Sequence, residues 1–128
     1  MIGAIKMSAI TIGELIAQRE EIQSNKNHLY DIETSIGTIT IKQPSSSLIA
    51  EVGNMKGLMS DEYLILKTCI EPQLTDKDLQ EAYQCINPTD ICEKLWKVGE
   101  IRRISNAIMD AAGYGGNIKA QIHKDIKN

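Results

Sequence analysis

The sequence predicts an α+β fold, mainly helical, in which one β-hairpin packs on a cluster of about five to six short helices. Three observations lead there. Between Thr38 and Gln43, Ile39 and Ile41 alternate with Thr38, Thr40 and Lys42, the period of a half-buried strand. Ile101, Ile104 and Ile108 fall at i, i+3 and i+7, one face of a helix. From Cys69 to Gly116, stop and start signals recur at short intervals, so each helix there is brief. Helices of that length are unstable in water by themselves, so they must share one core.

A chain of 128 residues is expected to form a single domain. Its apolar fraction of 42% is ordinary, and 24% charge without a long like-charged block argues against wholesale disorder. With four Tyr, one Trp and no Phe, the core must rest on Ile and Leu.

The elements follow in order. Met1 to Ala9 is expected as a loose leader. Thr11 and Glu14 make a capping box that opens a helix over about Ile12 to Ser24. Its Ile12, Leu15, Ile16 and Ile22 mark a face expected to pack on the core, with docking in a partner's groove as the alternative. Asn25 to Asn27 is a turn. His28–Thr34 and Thr38–Gln43 then form the hairpin, with Gly37 supplying the turn position. Two strands alone are marginal, so the hairpin must pack on helices or gain a third strand. Pro44 stops it, and one of Ser45, Ser46 and Ser47 caps a helix from about Leu48 toward Met55.

Lys56-Gly57 ends that helix, and Ser60 or Asp61 caps the next, through about Ile70. Tyr63, Leu64, Ile65 and Leu66 make this helix apolar nearly all round, which puts it at the core centre. Glu71-Pro72 stops it, because the residue before proline is pushed out of the α region. Thr75 with Asp78 opens a further helix and Asn87-Pro88 ends it; Asp90 with Glu93 opens another, broken at Val98-Gly99. The last runs from about Glu100 to Ala112, with Gly113 as a left-handed cap. The core is expected to draw on Ile39, Ile41, Leu64, Leu66, Leu79, Ile91, Leu95, Ile101, Ile104 and Ile108.

Tyr114-Gly115-Gly116 is a joint, followed by Ile118, Ile122 and Ile126 at four-residue spacing. That stripe either packs back on the domain or leaves segment 115–128 mobile until a partner's apolar groove orders it. The only Trp, Trp96, reads as a partly buried anchor or as an interface hot spot. Trp96, Tyr114, Ile118, Ile122 and Ile126 are therefore the candidate protein-binding residues.

No catalytic constellation stands out. His28 and His123 are far apart, and His28 with Cys85 and Cys92 lacks ligand spacing for a metal. The serine run at 45–47 is not followed by a phosphate-binding glycine loop. Acidic neighbours such as Asp76/Asp78 and Glu20/Glu21 suit a solvated helix surface. No enzyme, cofactor or metal is expected. Three cysteines without a Cys-x-x-Cys pair fit free thiols in a reducing cytosol. No apolar run is long enough for a membrane span. Residues 1–93 carry 7 basic and 14 acidic side chains, net −7, and residues 94–128 carry 7 and 3, net +4. The asymmetry is either solvated surface or a basic end that meets an acidic partner, another copy of the chain included. Net acidity speaks against nucleic acid as a partner.

The block EPQLTDKDLQEAY…PTDICEKLWKVGEI…AIMDAAGYGG resembles the C-terminal half of the XkdN-like phage tail assembly chaperones. ETSIGTITIKQPSSSLIAEV is similar to that family's hairpin and serine-rich helix start, so the resemblance runs from about Ile10 to Asn128. It implies a non-catalytic protein that binds tape-measure and tail-tube proteins in the cytoplasm of a bacterial host and is absent from the mature virion. A phage-encoded DNA-binding regulator, with Arg102 and Arg103 on phosphates, and a structural tail completion protein are the alternatives.

Overall fold

A computed structural model describes residues 8–26 and 28–114. Among them are seven helices and three strands: α1 (Ile12–Ala17), α2 (Arg19–Asn25), β1 (Leu29–Thr34), β2 (Gly37–Lys42), α3 (Ser46–Gly53), α4 (Leu58–Thr68), β3 (Cys69–Glu71), α5 (Lys77–Ala82), α6 (Asp90–Leu95) and α7 (Val98–Ala111). The expected mainly helical α+β fold is present.

The hairpin has the register its pattern demands. β1 and β2 pair antiparallel with Ile32 opposite Ile39 and Tyr30 opposite Ile41. Paired residues share a face, so these four turn to the helices. Asp31 and Thr40 share the other face, where the Thr40 hydroxyl donates to Asp31 at 2.8 Å. At the turn, Gly37 has φ +140°, open to glycine and strained for other residues. The Thr34 hydroxyl donates to the Gly37 carbonyl at 2.6 Å and closes the loop.

The third strand comes from an unexpected place. The helix predicted to run through Ile70 stops at Thr68, and Cys69–Glu71 instead pairs antiparallel with β2, giving the order β1-β2-β3. Pro72 bars Glu71 from helical geometry, and the Thr68 hydroxyl folds back on the Leu64 carbonyl at 2.8 Å. The second edge of β2, otherwise left with unpaired backbone groups, supplies the partner. A bulge at Thr40/Ile41 marks the junction.

α4 is the centre, as its apolar surround predicts. It packs on α3, α6 and α7, and α7 in turn packs on β1. Its Leu64, Ile65 and Leu66 join Ile39, Ile41, Ile91, Ile101, Ile104 and Ile108 in the core. Leu79 and Leu95 sit half-buried at its edge. Leu48, Cys69, Leu74, Cys92 and Trp96 complete it and, with Ile65, lie outside the expected set.

Caps and breaks shift by a residue or two. Asp76 rather than Thr75 caps α5, accepting from Leu79 N–H at 3.0 Å. Ser45 caps α3. α4 begins at Leu58 behind Gly57, whose φ is +66°, so neither Ser60 nor Asp61 caps it. The break before α7 falls at Trp96 and Lys97, both extended, and Val98 and Gly99 lie in the first helical turn. Trp96 is only 4% exposed, and the extended backbone is what turns its ring into the core.

The N-terminal helix departs most from expectation. Thr11 and Glu14 do form the capping box, but the helix divides at Gln18 into α1 and α2, and no residue of either is buried. The expected core face of Ile12, Leu15 and Ile16 is exposed, with Ile22 half-buried. The core closes without it, because β3 and α7 complete what the hairpin and α4 need.

Candidate functional site

Three surface features can receive another molecule. The first is α1. Its capping box holds Glu14 to Thr11, with the Thr11 amide donating to Glu14 at 2.9 Å and the Glu14 amide to the Thr11 hydroxyl at 3.1 Å. This fixes the first turn and presents Ile12, Leu15 and Ile16 at 76%, 43% and 56% exposure, with Ile10 exposed just before them. Aliphatic side chains held out of a core at helical spacing form an apolar face.

The second feature lies where the hairpin tip meets α7. The Glu100 carboxylate accepts from the Ser35 amide at 2.6 Å and from its hydroxyl at 2.7 Å. These bonds hold Glu100 below the usual carboxylate range, with Arg103 and Lys97 adding to the effect. The latch leaves a shallow cleft lined by Ser35, Leu95, Lys97, Gly99, Glu100 and Arg103. Ile36 on the hairpin tip and Val98 on α7 are both exposed.

The third lies between α5 and α6. Gln84, with φ +55°, turns the chain after α5 and leads to Ile86, which is 90% exposed. Asp90 accepts from the amides of Ile86 and Asn87 at 3.0 and 2.9 Å, which ties this connection to the start of α6. Gln84, Ile86, Asp90, Glu93 and Lys94 line the cleft. Glu62 of α4 is 6% exposed, its Oε2 has no partner, and its carboxyl is pushed up to about 8 by burial, then by a hydrogen bond to and the charge of Glu93.

The sequence-predicted contact residues fall apart in space and kind. Trp96 lies in the core, with its Nε1 unpartnered, and presents almost no surface. Tyr114 is 61% exposed just past α7. Ile118, Ile122 and Ile126 lie outside the described residues, as does most of the leader. Arg102 is ion-paired to Asp61 at 3.1 Å rather than free for phosphate. The apolar face of α1 is legible in the sequence as a stripe, and of its two readings, core packing and a partner-binding helix, the structure leaves the face out of the core. Glu62 carried no signal, since a glutamate in a helix ordinarily faces water.

The described residues hold no group of three His, Cys, Asp or Glu placed for a metal ion. Burial pushes the Cys69 thiol up to about 11 and the Cys92 thiol up to about 12, so both stay protonated near neutrality. No helix among the described residues is long and apolar enough to cross a membrane.

No curated protein and no solved structure matches the chain. A family model does, that of the phage XkdN-like tail assembly chaperone proteins, over residues 50–127. The matched span starts in α3 and takes in α4, β3, α5, α6 and α7, the helical block on which the hairpin rests. It covers more than half of the chain, which therefore belongs to the XkdN-like tail assembly chaperone family.

Proposed function

We propose that the protein binds the tape-measure protein, the tail-tube protein or both while a phage tail is being built, in the cytoplasm of the bacterial host, and leaves before the virion is complete. It works without catalysis. Membership of the tail assembly chaperone family carries this reading. The exposed aliphatic face of α1 supplies a means. A long tail protein presents apolar helical stripes until the tube encloses it, and such stripes aggregate unless covered. Ile12, Leu15 and Ile16 would cover one by helix-to-helix packing. Tyr114 and the Ile118, Ile122 and Ile126 stripe are proposed as further contacts.

Co-expression with the tape-measure or tail-tube protein of the same phage tests the reading. The expected result is a soluble complex and less light scattering from the tail protein than when it is made alone. Leu15→Asp with Ile16→Asp should abolish the complex while leaving the melting temperature unchanged. A chain that forms no complex with either tail protein, or that copurifies with finished particles, would overturn the proposal.

A further inference from the structure

β1 is an edge strand. Among the described residues the sheet order is β1-β2-β3, so one side of β1 has no neighbouring strand. Every second amide and carbonyl of an antiparallel strand points away from its partner, so that side carries a row of backbone donors and acceptors. Burial across the hairpin is uneven in the same direction. Ile39 and Ile41 of β2 are 3% and 0% exposed, whereas Ile32 and Tyr30, their partners on β1, are only half-buried. A groove follows the edge there, between Ile32, Glu33 and Thr34 of β1 and Arg103, Ile104 and Ala107 of α7. Ile104 of the core gives it an apolar part, and Arg103, on its helix side, has the charge of Glu100 beside it.

The other face of β1 decides what kind of strand fits. Asp31 and Glu33 stand two apart on it, both exposed, and among the described residues neither is ion-paired. The Thr40 hydroxyl donates to Asp31 and fixes that carboxylate on its face. An incoming strand brings alternate residues to the same face. Opposite charges across a strand pair are favourable and like charges are not. A second copy therefore fits poorly: in the two-fold registers that overlap β1 most, Asp31 meets Asp31 or Glu33 of the other copy. The chain's own residues 117–123, outside the described part, alternate in sequence too, with Ile118, Ala120 and Ile122 between polar residues. They offer Lys119 followed by Gln121, one cation for two carboxylates.

We propose that an extended segment of the partner tail protein adds to this edge as a further strand, with Lys or Arg at two alternate positions and aliphatic residues between them. Its backbone completes the hydrogen bonds of β1. Its cations lie across from Asp31 and Glu33, and its aliphatic side chains fill the groove beside Ile32 and Ile104. The identity of the partner rests on the chaperone reading; the chemistry of the edge does not.

The test uses the full chain and a capped hexapeptide, acetyl-Thr-Lys-Val-Lys-Val-Thr-amide. Its control, acetyl-Lys-Lys-Val-Val-Thr-Thr-amide, has the same composition without the alternation. Binding is followed by the backbone amide NMR signals of the chain and by amide exchange. The alternating peptide should bind about tenfold more tightly than its control and slow exchange at the outward amides of β1, every second residue. Asp31→Asn with Glu33→Gln keeps the oxygen that Thr40 donates to and alters only exposed side chains, so the fold is not at risk. It should weaken the alternating peptide by about threefold or more. Equal binding of the two peptides, no binding of either, or shifts that fall on α1 and leave β1 unchanged overturns the proposal. So does an edge already filled in the free chain: slow exchange at those amides that grows with chain concentration gives the edge to a second copy, and slow exchange at every concentration gives it to residues 117–123. A tail protein captured equally by the wild type and the double variant also overturns it while leaving the chaperone reading intact. Preference for the alternating peptide with no capture of either tail protein would keep the edge and refute the chaperone reading.

Discussion

Replacing Glu62 by Gln should remove a decline in stability that the wild-type chain shows as pH rises from about 4.5 to about 8. The cause is local. Ionised Glu62 would be a second negative charge beside Glu93, out of water and with one oxygen unpartnered. It therefore keeps its proton in the folded chain up to about 8, whereas in the unfolded chain it ionises near the ordinary 4.5. Between those values the folded state holds one proton more than the unfolded state. Stability must then fall with rising pH, by at most about 1.4 kcal/mol per unit for a single proton. The contribution is fully present below the lower value and gone above the upper one. The whole loss is on the order of a few kcal/mol, a large share of what a small domain has. Gln keeps the shape and does not titrate. Urea melts at a series of pH values, with the denaturant slope held constant, should show the variant gaining on the wild type steadily across the window. Near about pH 8 and above, the variant should be the more stable protein. Parallel profiles for the two proteins would refute the reasoning, because they would mean that Glu62 is solvated or already compensated. Glu100 does not confuse the result: its value is lowered, so its contribution is lost only in acid, below the window.

Further expectations follow from the core and the latch. Ile104→Ala, at a position of α7 that is 3% exposed, should destabilise by about 2–5 kcal/mol in a denaturant melt, and a change near zero would remove it from the core. Glu100→Gln should weaken the clamp on the hairpin tip, seen as faster amide exchange at Ser35 and as a smaller loss of stability on acidification than in the wild type. With a thiol reagent near neutral pH, half-buried Cys85 should react first, and Cys69 and Cys92 should react only as fast as the chain unfolds. Removal of metal ions by a chelator should leave the melting temperature where it was, and a fall would revive a metal site.

Much of the fold was legible because local physics points one way along most of the chain. Alternation at Thr38 to Lys42 requires a strand with one buried face. Spacing at Ile101, Ile104 and Ile108 requires a helix with one. Proline after Glu71 and Asn87 forbids a helix from running on. Those constraints fix the class of fold and most of the core. They do not fix what a free edge or a free face will meet. Cys69–Glu71 became a strand because β2 had backbone groups to satisfy, which nothing in those three residues announces. Trp96 became core because the chain extends at that point and turns the ring inward. α1 carries a stripe as regular as that of α7, yet α7 is buried and α1 is not, because α4 and β1 together offer one groove and α7 fills it. Glu62 followed the same rule in reverse: a glutamate on a central helix goes wherever the helix is packed, and only the position of α6 over α4 took it out of water. Periodicity tells a segment that it must cover one face. The surface that covers it is set by distant residues competing for the same groove, and only the folded chain decides that competition.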